Sequence, residues 1–499
     1  MTGDEGQAVD KTQIADEKQL LDHIEDVSRN ARGTWLTLIA VLLFSAIAVA
    51  GVRDRDFFTY GASMTLPVIN FSVPVKSFFY AGPLIVLGLY TYLHLYLLKL
   101  WRALAVPAAR LANGRQLDEA VFPWLVSDAA ISIKPGGPRR PFGWMTRIVA
   151  FLFLWAAGPM ILIYFWWRSF PPHDLSLTTW TGLLAGLSIV GGVLSFNQCW
   201  QVLRPREERS PQRLNALPLV ISLCAGGGIL FAGLLRTDGV LGLDGWIYSA
   251  DLYRAELVQR PAGWMSREEA WEEFKVKYSG LKRHQMPDDA TWLAAAKDAF
   301  NKQRTLMLDG LKANDFQGVS FRYARLEEAF MPGLDLKRAN FKGANLYRAY
   351  MEETDLSETN LQAGLWAANL QASNLSRANF EGADLSDVNL EGAILIQASL
   401  QTSNLSGANL SGANLWHADL KDAQVFDALF VEASLASADL SSVAFLSQAQ
   451  INSAFGTGPT KLVDGGERPP HWSDKSFEIF GHEEAWSDWR SRRFGQSKE

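Results

Sequence analysis

Residues 403–420 read SNLSGANLSGANLWHADL. Leu405, Leu410, Leu415 and Leu420 fall five apart, and two positions before each sits a small residue: Ser403, Ala408, Ala413 and Ala418. Moving outward, the same spacing holds in both directions. One run carries Phe316, Phe321, Leu326, Met331, Leu336, Phe341, Leu346, Met351, Leu356 and Leu361; a second starts at Leu365 and reaches Leu440 and Phe445. A period of five fits neither a helix at about 3.6 nor a strand at about 2. A fixed repeat of this kind marks a solenoid.

Suppose each five-residue unit makes one side of a coil and the chain then turns a corner. The large residue points inward and the small one packs beside it. The other three positions face water, and here they are mostly Asn, Asp, Ser, Gly, Glu and Arg. Stacked coils would pair backbone groups at about 4.8 Å, as in any β ladder, and columns of Leu and Phe would supply the stability between neighbours.

The segments ANFKGANLYRA (339–349), SNLSGANLSGANLWHADL (403–420) and ADLYRAEL (250–257) resemble pentapeptide repeats of the A(D/N)LXX type. That resemblance covers about a third of the chain. It implies a right-handed quadrilateral β-helix with four units per coil, hence about seven coils and a rod of about 33 Å. One residue is missing between Leu361 and Leu365, which predicts a bulge or kink with Gly364 absorbing unusual backbone angles. Units centred on Leu252 and Leu257 place the start of the solenoid near Ile247.

The 499 residues are enough for several domains, and the two halves differ sharply in character. The first half holds five apolar stretches of span length, at 34–52, 78–99, 147–167, 179–199 and 216–235. The last two are Gly-rich, which suits close helix packing in lipid. The expected organisation is a polar tail (1–33), a transmembrane helical bundle (34–236), the first solenoid units (247–259), a helical insertion or cap (260–311), the main solenoid (312–455), and a C-terminal cap and tail (456–499). Within the insertion, Ser266 and Glu269 have capping-box spacing, and Trp271, Phe274 and Tyr278 follow at helical spacing. Trp472, Trp486 and Trp489 mark the C-terminal cap. The charged tail before the first apolar stretch gives no expectation of a cleavable signal peptide.

Basic residues are unequally shared between alternate loops. Lys18, Arg29 and Arg32, the loop from Lys99 to Arg147 with its PGGPRRP segment, and Arg204, Arg206, Arg209 and Arg213 fall on one side; Arg53, Arg55, Lys76, Arg168 and Arg236 fall on the other. The positive-inside rule puts the first set in the cytoplasm. Five spans would then place the solenoid on the external or periplasmic side.

No Walker, GxSxG, GxGxxG or HExxH pattern is present. Cys199 and Cys224 define neither a disulfide framework nor a metal spacing, and no cofactor is expected. His94 lies inside the second apolar stretch, four residues after Tyr90, and is the candidate functional intramembrane residue. On the solenoid, the face around residues 375, 395, 415 and 435 carries no acid. Together with neighbouring outward positions it presents Ile394, Ile396, Trp416, His417, Phe426 and Val431, a candidate face for docking a protein partner.

The arrangement resembles membrane-bound pentapeptide-repeat proteins of bacteria. The first functional reading is therefore a non-catalytic interaction scaffold held in the cytoplasmic membrane, its partners the lipid bilayer and an unknown protein. A second follows from the resemblance: some pentapeptide-repeat proteins mimic duplex DNA and protect type II topoisomerases. Residues 362–455 carry nine acids against Arg377 and Lys421, a net charge of −7 that fits in sign. Direct nucleic-acid binding is disfavoured, because an acidic rod repels phosphate. A third reading is a membrane enzyme or transporter with the solenoid as accessory.

Overall fold

A computed structural model describes residues 4–59, 61–66, 70–107, 111, 115–133, 143–172, 174–203, 216–238, 250–252, 254–258, 260–261, 264–282, 289–311, 316–476 and 479–494. The PGGPRRP segment, Arg204 to Arg213 and Ile247 lie outside these residues. The chain divides into two compact units: Met1–Arg53 with Ser63–Asp244, and Asp54–Ala62 with Gly245–Glu499.

The first unit is helical. Its elements are α1 (Asp4–Gly51), a hairpin of β1 (Ser63–Leu66) and β2 (Phe71–Pro74), α2 (Val75–Ala105), α3 (Leu117–Ala120), α4 (Leu125–Ile133), α5 (Gly143–Phe151), α6 (Ala157–Arg168), α7 (Leu175–Leu203) and α8 (Ala216–Asp238). The hairpin is antiparallel, pairing Ser63 with Pro74 and Leu66 with Phe71. A π-helical turn at Leu152–Ala156 joins α5 to α6. Four helical stretches are long and apolar enough to cross a membrane: Glu17–Gly51, Val75–Ala105, Trp144–Arg168 and Ser176–Leu203. The fifth expected span falls on α8, within which Val220–Ala232 is a shorter apolar helix. Leu43, Ile47, Leu84, Ile85, Leu187 and Phe231 point outward from these helices and leave apolar surface exposed. Glycines set the helix spacing: a Cβ on Gly186 of α7 would meet Gly226 Cα of α8 at 3.3 Å.

The second unit is built from the repeat. Each large apolar residue of the runs is buried except Phe445, which is exposed where the regular coils end, and the amide of an inward residue bonds to the coil one turn later. Leu385 N donates to Asn404 O at 2.7 Å, Leu390 N to Asn409 O at 2.8 Å, Leu395 N to Asn414 O at 2.8 Å and Leu400 N to Asp419 O at 2.7 Å. These four leucines name the four faces of a coil. The bridges between coils are parallel and single, one per side.

The corners explain the remaining positions of the repeat. The Asn or Asp before each inward residue accepts a hydrogen bond from the amide two residues on; Asn409 Oδ1 to Ser411 N is 3.1 Å and Asp419 Oδ1 to Lys421 N is also 3.1 Å. This is an Asx turn, which tightens the corner without a backbone partner. An i to i+3 bond then closes it, as from Ala413 N to Leu410 O at 3.0 Å. The second residue after the inward one takes a left-handed conformation, at Gly412 with φ of 65° and at His417 with 56°, which is why glycine recurs there.

The missing residue is accommodated differently from the expected bulge or kink. The ladder step drops from twenty residues to nineteen between Asn345 and Gly364 and returns to twenty from Gly364 to Asp384, with no bridge lost. The corner shortens instead: Ala363 N donates to Leu361 O at 2.7 Å, a three-residue turn. Gly364 is not among the residues with positive φ, and a Cβ on it would meet only Ala344 O, at 4.0 Å. The glycine is therefore not what absorbs the deletion.

The first coil is split. Leu252 N donates to Arg325 O at 2.7 Å and Leu257 N to Phe330 O at 3.0 Å, so residues 250–258 form two sides. Phe316 and Phe321 begin the other two, with Phe321 N on Asn340 O at 2.8 Å. Between them the chain leaves the corner joining the Leu390 and Leu395 faces and forms α9 (Arg267–Lys282) and α10 (Asp289–Asp309). Ser266 Oγ accepts from Glu269 N at 3.3 Å and Glu269 Oε2 from Ser266 N at 3.0 Å, a complete capping box at the start of α9. α11 (Gln448–Ser453) precedes the late ladder positions Phe455 and Lys461, and α12 (Ile479–Phe494) follows them.

Candidate functional site

Both helical arms of the second unit lie on one corner of the rod. Following the residues just after each inward side chain on the Leu390 face gives Glu352 and Glu353, then Gln371, Glu391, Ser411, and Val431 with Glu432. The α9–α10 arm is fixed at the first of these levels. Arg304 of α10 sits 2.9 Å from Glu352 Oε2 and 3.1 Å from Glu353 Oε1, and Arg267 of α9 sits 2.6 Å from Glu353 Oε1. Glu352 also accepts from Arg267 N at 2.9 Å and from Asn369 Nδ2 at 2.7 Å. The Arg304 and Glu352 side chains are 4% and 1% exposed. Burial pushes the Glu352 carboxyl up, and the Arg304 charge opposes that. The Arg304 guanidinium lies over Trp264, 4.4 Å from the ring centre.

The α12 arm is fixed at the other end, mainly by aromatic contact. Trp489 packs on Phe455 with ring centres 5.5 Å apart, and His471 stacks on Trp489 at 5.6 Å. Trp486 Nε1 donates to Glu432 O at 3.0 Å, and Arg490 pairs with the Glu432 carboxylate at 2.9 Å. His482 is fully buried with Nε2 2.6 Å from Ser434 Oγ. Burial lowers its pKa to about 4, helped by the nearby His417.

Between the arms the corner stays open as a groove of about 640 Å³. Its floor is Gly392, Gly412, Ser411 and the half-exposed Ile394 and Val431; Trp271 and Phe300 wall one end and Trp486 the other.

The expected docking face is divided among different surroundings. Ile394 and Val431 line the groove. Trp416 is half-buried beneath α12, its ring 6.0 Å from His482, and His417 packs edge-on against it at 4.2 Å. Ile396 is half-buried. Phe426 is 57% exposed on the Leu385 face, where it meets the 67% exposed Phe445 at 6.2 Å. The carboxylates at the corner and the arms that engage them carry no sequence motif linking one to the other.

In the first unit, His94 is buried. Its Nδ1 is 2.8 Å from Tyr90 O, and its Nε2 meets no partner among the described residues. Tyr90 Oη donates to Trp155 O, at 2.8 Å, within the π-helical turn. Gly192 of α7 gives Tyr90 room: a Cβ there would lie 2.5 Å from the Tyr90 hydroxyl. Among the described residues, no cluster of three His, Cys, Asp or Glu could hold a metal.

With this geometry in place, the repeat has a name. Residues 315–351, 335–363, 367–401 and 403–443 match the family of pentapeptide repeats in eight copies. The solenoid is a pentapeptide-repeat domain, and such repeats imply a right-handed β-helix. Similar solved structures include QnrB1, a plasmid-mediated fluoroquinolone resistance protein, at 19% identity over 37% of this chain and 92% of that one, with a TM-score of 0.24. HetL, involved in heterocyst differentiation regulation in Nostoc sp. strain PCC 7120, is 23% identical over 30% of this chain and 78% of its own, with a TM-score of 0.15. A pentapeptide repeat protein of the Arabidopsis thaliana thylakoid lumen is 26% identical over 27% of this chain and 83% of its own, with a TM-score of 0.18. No curated protein matches the chain.

Proposed function

We propose that this protein is a membrane-anchored, non-catalytic interaction scaffold of a bacterial cytoplasmic membrane, whose pentapeptide-repeat rod presents a docking surface to a protein partner. The observation that carries this reading is the open corner: two helical arms cover the ends of one edge of a rigid rod and leave its middle accessible, with Ile394 and Val431 40% and 41% exposed. Exposed apolar side chains gathered in a groove favour docking.

External placement of the rod is supported by a short segment. Asp54–Ala62 comes directly after the first apolar helix, yet it belongs to the solenoid's unit. Asp251 N donates to Asp54 Oδ2 at 3.0 Å, and the Phe58 and Phe321 rings are 5.4 Å apart. A connection that packs on the first coil shares its side of the membrane. This supports a rod opposite the N-terminal tail, with an odd number of spans and α8 as the fifth.

The nucleic-acid-mimic reading has less support. Asp384, Asp419 and Asp439 each spend one carboxylate oxygen on an Asx turn. Asp439 is also paired with Lys461 at 2.8 Å. Three of the nine acids thus have a role in corner chemistry.

The test is a single cysteine at Gln424, exposed on the rod, with Cys199 and Cys224 replaced by serine. An impermeant maleimide should label it in intact cells. Labelling only after lysis would overturn the external placement and bring cytoplasmic partners, topoisomerases included, back into consideration.

A further inference from the structure

The groove has a more specific chemistry than general docking, and the inference below rests on the scaffold reading. However else they are seated, both of the chain's own helical arms set an arginine on a carboxylate of the solenoid at this corner. Arg304 and Arg267 use it at Glu352 and Glu353, and Arg490 uses it at Glu432. Glu391 stands midway, two coils from each. Its carboxylate accepts a neutral hydrogen bond from Gln371, at 3.1 Å, and lines the groove.

Spacing fits a third helix. Two coil steps are about 10 Å, and packed helices sit about 8–10 Å apart. The floor is shaped for close approach. A Cβ on Gly392 would meet nothing within 4 Å, and one on Gly412 only the Arg490 guanidinium at 3.8 Å. The formal charge of the lining is also unbalanced: with Glu432 paired to Arg490, Glu272 to Lys275 and Arg267 to Glu353, the carboxylates of Glu268, Glu391 and Glu483 remain against one cation. Lys297 is that cation, at the groove wall.

We propose that the groove seats a basic amphipathic helix of a partner protein, which places an arginine or lysine on Glu391 and apolar side chains on Ile394 and Val431, between the Trp271 and Trp486 walls. This is helix-in-groove recognition, with the charge on Glu391 fixing register and the aromatic walls supplying desolvated contact.

Two measurements on the full-length protein test it. In detergent solution, a fluorescent synthetic helix of alternating arginine and leucine faces is titrated against the wild type and against Glu391→Lys. Binding should weaken at least tenfold in the variant, and the same peptide with glutamate for arginine should not bind. Protease resistance of the coils confirms that the variant is folded. Equal affinity for wild type and variant, or for both peptides, overturns the proposal.

In cells, a photo-crosslinking side chain is placed at Ser411 in the groove and, separately, at Asp427 beside Phe426. Crosslinks at Ser411 to a partner segment carrying basic and apolar residues at helical spacing support the proposal. Crosslinks at Asp427 alone leave the scaffold reading standing and remove the groove. Crosslinks at Ser411 to lipid or to a second copy of this chain remove it as well. No protein crosslink at either position removes both readings.

Discussion

The two arms on the solenoid corner reach the same surface by different means. The α9–α10 arm is held by buried guanidinium–carboxylate pairs, while the α12 arm is held by stacked rings, one half-exposed ion pair and a buried neutral histidine. A buried ion pair is expensive to break because one charge is left stranded. An aromatic seat loses area gradually, and a buried imidazole couples it to pH. One arm behaves as a fixed wall; the other can be released.

The strongest way to break this comparison is to remove the floor both arms share. Leu410→Arg puts a charge in the leucine column, where the side chain is fully buried. It should cost at least about 5 kcal/mol, with protease resistance lost across the late coils; unchanged resistance would mean the inward register is wrong. Next is Arg304→Ala, which strands Glu352 and should cost about 3–5 kcal/mol. Denaturant unfolding should show the loss, and proteolysis should open α10 while the later coils stay protected. Arg490→Ala, on the half-exposed pair, should cost no more than about 1 kcal/mol.

Trp489→Ala tests the other seat and should cost about 3 kcal/mol, with α12 becoming exchange-competent before the ladder does.

The difference is sharpened by pH. His482 titrates at about 4 in the folded protein, against about 6.5 unfolded. A histidine held neutral contributes stability that is complete above the unfolded value and is lost as pH falls toward the folded one. His417, His471, Glu432 and Arg490 are charged or titratable groups facing this seat. Tryptophan fluorescence should therefore report loosening of α12 between about pH 6.5 and 4. The same change should be absent in His482→Gln. The α9–α10 latch should hold through that window: burial pushes the Glu352 carboxyl up, so taking up a proton there as pH falls does not cost the folded state stability. The smallest effect is expected at Gly364→Ala, within about 0.5 kcal/mol, because neither φ nor space requires the glycine.

The repeat was legible because its physics is local. Leu405, Leu410 and Leu415 each meet the same surroundings one side later, so period alone reports burial. The capping box at Ser266 and Glu269 is equally local, and the structure contains both of its bonds. The corner chemistry was half visible: Asn409 and Gly412 appear in sequence as polar filler, and only their bonds and φ values show them to be turn formers. The groove was not visible. Arg304 and Glu352 are 48 residues apart in different kinds of structure, and no period relates them. Trp416 showed the opposite limit: its outward position in the repeat is real, but α12 folds back over it.

The split first coil bears on how the chain acquires its shape. An ordinary coil closes between residues about twenty apart, as from Asn389 to Asn409, whereas Asp251 must find Arg325 across 74 residues. By chain statistics that longer closure costs only about 1 kcal/mol more, so the finished coil is nearly as secure as its neighbours. The timing differs far more. During synthesis residues 250–258 emerge before the coil they stack on, and wait until α9, α10 and the coil beginning at Leu326 have followed. The rod should therefore nucleate among its regular later coils and close its opening coil only afterwards.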